Sequence, residues 1–196
     1  MAQHVIYVPG LGDHHPYGQD KAIRLWRFFG LQPHYFPLGW ADVDGFEVKK
    51  KRLADLVDQL QGQGHTVSLV GVSAGAGAVL NLYAERPDIH AVVLICGKVN
   101  HPETVGSQVY KHNPDFKESM YLLQSNLPKL NAAQRKRILS IHPRIDHSVP
   151  PADTRIEGAH EKTLPGIGHR SGIFSGVIFG SASIGRFIKK AKADEP

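Results

Sequence analysis

Short runs of apolar residues recur along this chain, and between them lie longer stretches in which apolar residues return every three or four positions. The short runs are residues 4–8, 33–37, 66–70, 91–96 and 138–142, rich in β-branched and aromatic side chains, with a weaker one at 161–164. They predict strands. The stretches at 19–29, 46–60 and 176–190 carry helical spacing, and in the second Val48, Leu53, Leu56, Val57 and Leu60 fall on or near one face. Another helix leaves residue 78 and stops at Glu85-Arg86-Pro87. Strands alternating with helices predict an α/β fold: a three-layer α/β/α sandwich around a mostly parallel sheet of about six strands. The near-continuous apolar run at 91–96 suits a strand buried on both faces, and functional loops belong at the strands' carboxyl ends.

Residues 99–137 break this rhythm. They hold several prolines, many polar residues and two short helices, around 116–124 and 132–137, with no strand. This predicts a small helical insert, placed to act as a lid, ahead of the strand at 138–142. In it Tyr110, Phe116, Met120, Tyr121, Leu122 and Leu123 either line a pocket or pack the insert onto the sheet. Residues 154–159 read as a short helix or an irregular connection. The pieces fit one domain over residues 1–190, with 191–196 as a frayed tail. A length of 196 residues with 41% hydrophobic and 21% charged side chains suits a single domain with a sizeable core.

Composition narrows the function classes. No basic segment followed by an apolar one precedes residues 5–10, and no run approaches the roughly 18 apolar residues of a membrane span. A cytoplasmic protein without a membrane span is therefore expected. The one cysteine, Cys96, excludes an internal disulfide and any cysteine-based metal cluster, and it is read as packing in a strand. The net charge of +5 comes partly from Lys49-Lys50-Lys51-Arg52, Arg135-Lys136-Arg137 and Lys189-Lys190. These clusters fall on helical stretches, read as solvated faces, and no nucleic-acid-binding pattern accompanies them. Twelve histidines show no metal-ligand spacing, so most are assigned to surfaces and loops, and neither a metal nor a cofactor is expected.

The chemistry is concentrated in Gly71-Val72-Ser73-Ala74-Gly75, which joins the strand at 66–70 to the helix that follows. In a sharp strand-to-helix turn, two glycines make room for a strained backbone that lifts a serine hydroxyl above the sheet end. Ser73 is thus the candidate nucleophile. A serine hydroxyl needs a histidine base, and the base needs a carboxylate to fix its tautomer. In the order Ser…Asp…His, Asp146 follows one strand and His169 sits in the glycine-bounded loop after the last. Asp153 and His160 are their nearest competitors. A phosphate-binding loop fails for want of a lysine after these glycines, and a dinucleotide fingerprint starting at Gly10 has His15 in place of its third glycine.

On these residues the chain resembles the α/β-hydrolase superfamily over nearly its whole length, as a small single-domain member lacking the fold's first two strands. The resemblance implies an oxyanion hole made by the backbone N–H of Ala74 and one from Pro9-Gly10-Leu11-Gly12, given by Leu11 or Gly12. It also implies a serine hydrolase that cleaves a small carboxylic ester through an acyl-enzyme, using Ser73, His169 and Asp146. An acyltransferase or thioesterase would use the same residues. A binding protein that keeps only the scaffold is the alternative from another class.

Overall fold

The computed structural model describes residues 3–191, so all but Ala191 of the tail read at 191–196 lies outside the described residues. Strands β1 (Gln3–Val8), β2 (Leu31–Tyr35), β3 (Thr66–Val72), β4 (Val92–Ile95), β5 (Ile138–Ile145) and β6 (His160–Ile167) form one parallel sheet in the order β2-β1-β3-β4-β5-β6. Side chains alternate across it. Val5, Tyr7, Val70, Val72, Val93 and Ile95 point into one hydrophobic layer, while Ile6, Val8, Leu69, Val92 and Leu94 point into the other. That period of two, buried on both sides, is why the strands read as unbroken apolar runs.

The first layer is covered by α1 (Gln19–Ala22), the 3₁₀ turns of Ile23–Phe29, α7 (His169–Ile178) and α8 (Ser181–Lys190). The second is covered by α2 (Phe46–Gly62), α3 (Gly75–Glu85) and the segment holding α4 (Ser107–His112), α5 (Pro114–Asn126) and α6 (Ala132–Lys136). Connections leaving the adjacent strands β1 and β3 therefore go to opposite faces. The crevice at their carboxyl ends is the topological switch point where such sheets bind ligands.

Several boundaries differ from the expectation. Residues 19–29 form one α-turn and then 3₁₀ helix, in which Ile23 and Trp26, three residues apart, both turn inward. The closing helix begins at His169 and breaks between Ile178 and Ser181, giving two helices. Strand β2 starts two residues early and carries Pro33, which an edge strand tolerates. The weak strand at 161–164 is an eight-residue edge strand, β6. Of residues 154–159, only Thr154 is helical, closing a 3₁₀ turn at Pro151–Thr154.

The basic run on α2 is not a solvated face throughout. Lys49 is fully buried; its ammonium donates to Asp115 Oδ2 at 2.5 Å and to the Asp42 carbonyl at 2.8 Å. Lys50 is also buried and pairs with Glu85 and Glu47. These contacts bind α2 to α5 and α3. Asn81 adds to the seam between α3 and α5 by donating to the Ser119 carbonyl at 2.9 Å and accepting from Asn126 at 3.0 Å. Phe116, Met120 and Leu123 pack into the same core, as does Tyr110. Removing one partner of a buried ion pair strands the other charge, at a cost of about 3–5 kcal/mol. Lys49→Met should therefore lower unfolding stability by that amount in urea titrations, and Lys49→Met/Asp115→Leu should recover part of the loss.

Three of the histidines stack at the amino-terminal end of the sheet. His4 lies against His65 with ring centroids 4.1 Å apart and against His34 at 5.0 Å, and His4 Nδ1 is 2.8 Å from His34 Nε2. Burial, then the neighbouring imidazoles, holds His4 below its ordinary 6.5, and burial, then Arg27 and His65, does the same to His34. Below 6.5 the unfolded chain binds more protons than the folded one, so stability falls as pH drops toward the depressed folded values. Melting temperature should decline from pH 7 to pH 5, and less steeply in His4→Gln/His34→Gln.

Candidate active site

Strand β3 ends at Val72 and α3 starts at Gly75, so the chain reverses within two residues. Ser73 occupies the reversal at φ +51°, a left-handed conformation that costs a non-glycine residue about 1–3 kcal/mol and that the surroundings must enforce. They do so by close packing. A Cβ on Gly71 would fall 2.6 Å from Val79 Cγ2, one on Gly75 would fall 2.3 Å from the Val8 carbonyl oxygen, and one on Gly10 would fall 2.9 Å from Ser73 Cβ. The serine N–H donates to the Ile95 carbonyl at 3.0 Å, tying the turn to β4. Glycine at 71 and 75 is thus a steric need, as the five-residue pattern suggested, and Gly10 is a third such position.

His169 is the first residue of α7, reached through Gly166 at φ +151° and Gly168 at φ +95°. Those two glycines make the turn that brings the imidazole over Ser73. His169 Nε2 lies 2.9 Å from Ser73 Oγ, and His169 Nδ1 lies 2.7 Å from Asp146 Oδ2. The Asp146 side chain is fully buried, and the imidazole is 17% exposed. Oδ1 of the same carboxylate accepts from the Ser148 and Val149 N–H groups at 2.9 and 3.0 Å, an Asx turn that fixes its orientation. A carboxylate on Nδ1 keeps the proton there and leaves the Nε2 lone pair for the serine hydroxyl.

The competitors are engaged elsewhere. Asp153 is ion-paired with the buried Lys98, and His160 packs edge-on against Phe187 at the opposite end of β6. Among the described residues, no backbone carbonyl and no side chain takes the N–H of Leu11, Gly12 or Ala74. The loop carrying Leu11 and Gly12 is pinned by Asp13, whose carboxylate accepts from the Gly39 N–H at 2.7 Å and the Trp40 N–H at 3.3 Å.

Cys96 belongs to this region in a way its sequence position did not disclose. It follows β4 rather than lying in it, takes a left-handed φ of +50°, and is fully buried. Burial and then the Asp146 charge push its thiol up to about 12, so it stays un-ionised at neutral pH. Its Sγ, an Asp146 oxygen and a His169 nitrogen lie within 4.8 Å of one another. A metal ion held there would have to remove the thiol proton and break the His169–Asp146 hydrogen bond. The signal for Cys96 lies in the pairing of β4 with β5, which a single sequence does not print.

No protein-family model and no curated protein sequence matches this chain. Solved structures do resemble it. Est1E from Butyrivibrio proteoclasticus superposes with a TM-score of 0.73 at 14% identity, over 97% of this chain and 88% of that one. The esterase domain of a Rhodothermus marinus protein gives 0.69 at 15%, over 95% and 86%. The monoacylglycerol lipase of Paleococcus ferrophilus gives 0.64 at 16%, over 96% and 95%. What is shared at such identities is the fold, and it is the α/β-hydrolase fold.

Proposed function

We propose that this chain, an α/β-hydrolase by fold, is a serine hydrolase acting on small carboxylic esters. The observation that carries the reading is the continuous hydrogen-bonded line from Ser73 Oγ through both nitrogens of His169 to Asp146 Oδ2, at 2.9 and 2.7 Å. The esterase and lipase names of the structural neighbours support an ester as substrate.

In this reading His169 Nε2 takes the Ser73 proton as Oγ attacks the ester carbonyl. The buried Asp146 carboxylate stabilises the imidazolium, and the Ala74 N–H together with that of Leu11 or Gly12 holds the oxyanion. His169 then protonates the leaving alkoxide, which departs as the alcohol and leaves acyl-Ser73. Water, deprotonated by the same nitrogen, attacks the acyl carbon, and collapse of the second tetrahedral intermediate returns the carboxylic acid and free Ser73. A recess of about 300 Å³, lined by Asp13, His14, Phe36, Leu38, Ala41 and Arg52, adjoins the loop after β1; neither Ser73 nor His169 is among its lining residues.

The test is a panel of aryl esters of rising acyl length, run beside matched thioesters and amides. The reading expects the highest kcat/KM for a short-chain oxygen ester. A preference for thioesters would change the substrate class while keeping Ser73, and a folded protein that turned over none of the three would reject hydrolysis.

A further inference from the structure

Two parts of the molecule differ in how they hold charge, with α4–α6, in the same layer as α2 and α3, also carrying the exposed Lys111, Lys117 and Lys136. On the layer of α2 and α3, Lys49, Lys50, Lys51, Arg52 and Arg86 are each ion-paired with a carboxylate. On the opposite layer, residues 17–30 contribute Lys21, Arg24 and Arg27, and residues 168–191 contribute Arg170, Arg186, Lys189 and Lys190. All seven are exposed, and among the described residues none is ion-paired. Asp20 is the single acidic residue in these two segments. The two segments together carry a net charge of +6, and the remainder of the chain, with 16 basic and 17 acidic residues, carries −1.

The same face carries aromatic side chains in water. Phe28 is 85% exposed, Phe179 78% and Tyr17 67%, and Phe174 is half-exposed. Residues 171–185 contain no charged side chain, yet Phe174 and Phe179 within them point outward, between Arg170 and Arg186. The elements are contiguous: Trp26 Nε1 donates to the Val177 carbonyl at 2.9 Å, and Gly185 and Gly30 pack against Phe29 and Lys189 respectively. No single helix among the described residues is long and apolar enough to cross a membrane. Exposed aromatics ringed by unpaired cations instead suit the interfacial zone, where rings enter the headgroup layer and cations meet lipid phosphates.

We infer that this face docks on an anionic lipid bilayer. A second copy of the chain is disfavoured, because an isologous contact would set seven unpaired cations against seven more. Nucleic acid fits the cations but leaves the uncharged centre with nothing to pair. Because α7 begins at His169, docking sets the membrane beside the helix that carries the base. The surface itself is defined without reference to catalysis.

The test is co-sedimentation with vesicles of phosphatidylcholine, with and without phosphatidylglycerol, read as bound protein so that it does not depend on ester turnover. Binding should require phosphatidylglycerol and weaken with salt. Arg24→Glu/Arg27→Glu/Lys189→Glu should weaken it on the order of a hundredfold, and Phe28→Ser/Phe179→Ser on the order of tenfold. Circular dichroism of both variants should match the parent. Failure to bind anionic vesicles at low salt would overturn the inference, as would equal binding by parent and variants. So would a stable dimer that Phe28→Ser/Phe179→Ser dissolves, or salt-sensitive binding to duplex DNA in place of vesicles.

Discussion

Ser73→Ala should reduce kcat for a short-chain aryl ester by about a million-fold, leaving KM and the melting temperature close to those of the parent. The size follows from what the substitution removes. Alanine occupies the same left-handed position without Oγ, so the elbow, the free amides and the His169–Asp146 pair persist while the covalent route disappears. Only oxyanion stabilisation and binding remain to assist water, and such residual catalysis lies far below that of an intact triad. Side-by-side initial rates and thermal melts check this. Parent-like turnover by the alanine variant would assign the nucleophile elsewhere.

Asp146→Asn should lower kcat by about 10⁴-fold with little change in KM. The Asx turn makes the direction of this effect unusually determined. Oδ1 of residue 146 accepts the Ser148 and Val149 N–H groups, so the asparagine keeps its oxygen there and turns its NH₂ toward His169. That NH₂ can only donate, which forces the Nδ1 lone pair inward and the Nε2 proton toward Ser73, the wrong tautomer for a base. Asp153→Asn is the natural control. It loosens the pairing of the buried Lys98 and should cost roughly 3 kcal/mol of stability, while kcat per folded molecule stays unchanged. Kinetics and urea titration of the two variants separate the roles.

The parts of this molecule that were legible in the sequence are those with local causes. Alternation of buried strand positions into two layers made the apolar runs visible, and the glycines at 71 and 75 mark a turn that only glycine permits. Gly166 and Gly168 likewise marked the turn before His169, although its place at the head of α7 was not visible, because a helix start with no capping side chain leaves no sequence sign. What was hidden rests on pairings between distant residues. Lys49 looked like one of four surface cations because its partner, Asp115, lies 66 positions away. The strained Cys96 and the His4–His34–His65 stack depend on which strands are neighbours. The closing segment read as one helix because its break at Phe179-Gly180 carries no proline or polar stop.

The central claim is that Ser73 is a nucleophile activated by His169, and covalent capture tests it most directly. Intact mass spectrometry of the folded protein after exposure to a fluorophosphonate should show one adduct per chain, mapped by peptide sequencing to Ser73 and missing from Ser73→Ala. An unlabelled parent protein, or an adduct that survives in Ser73→Ala, would contradict the account.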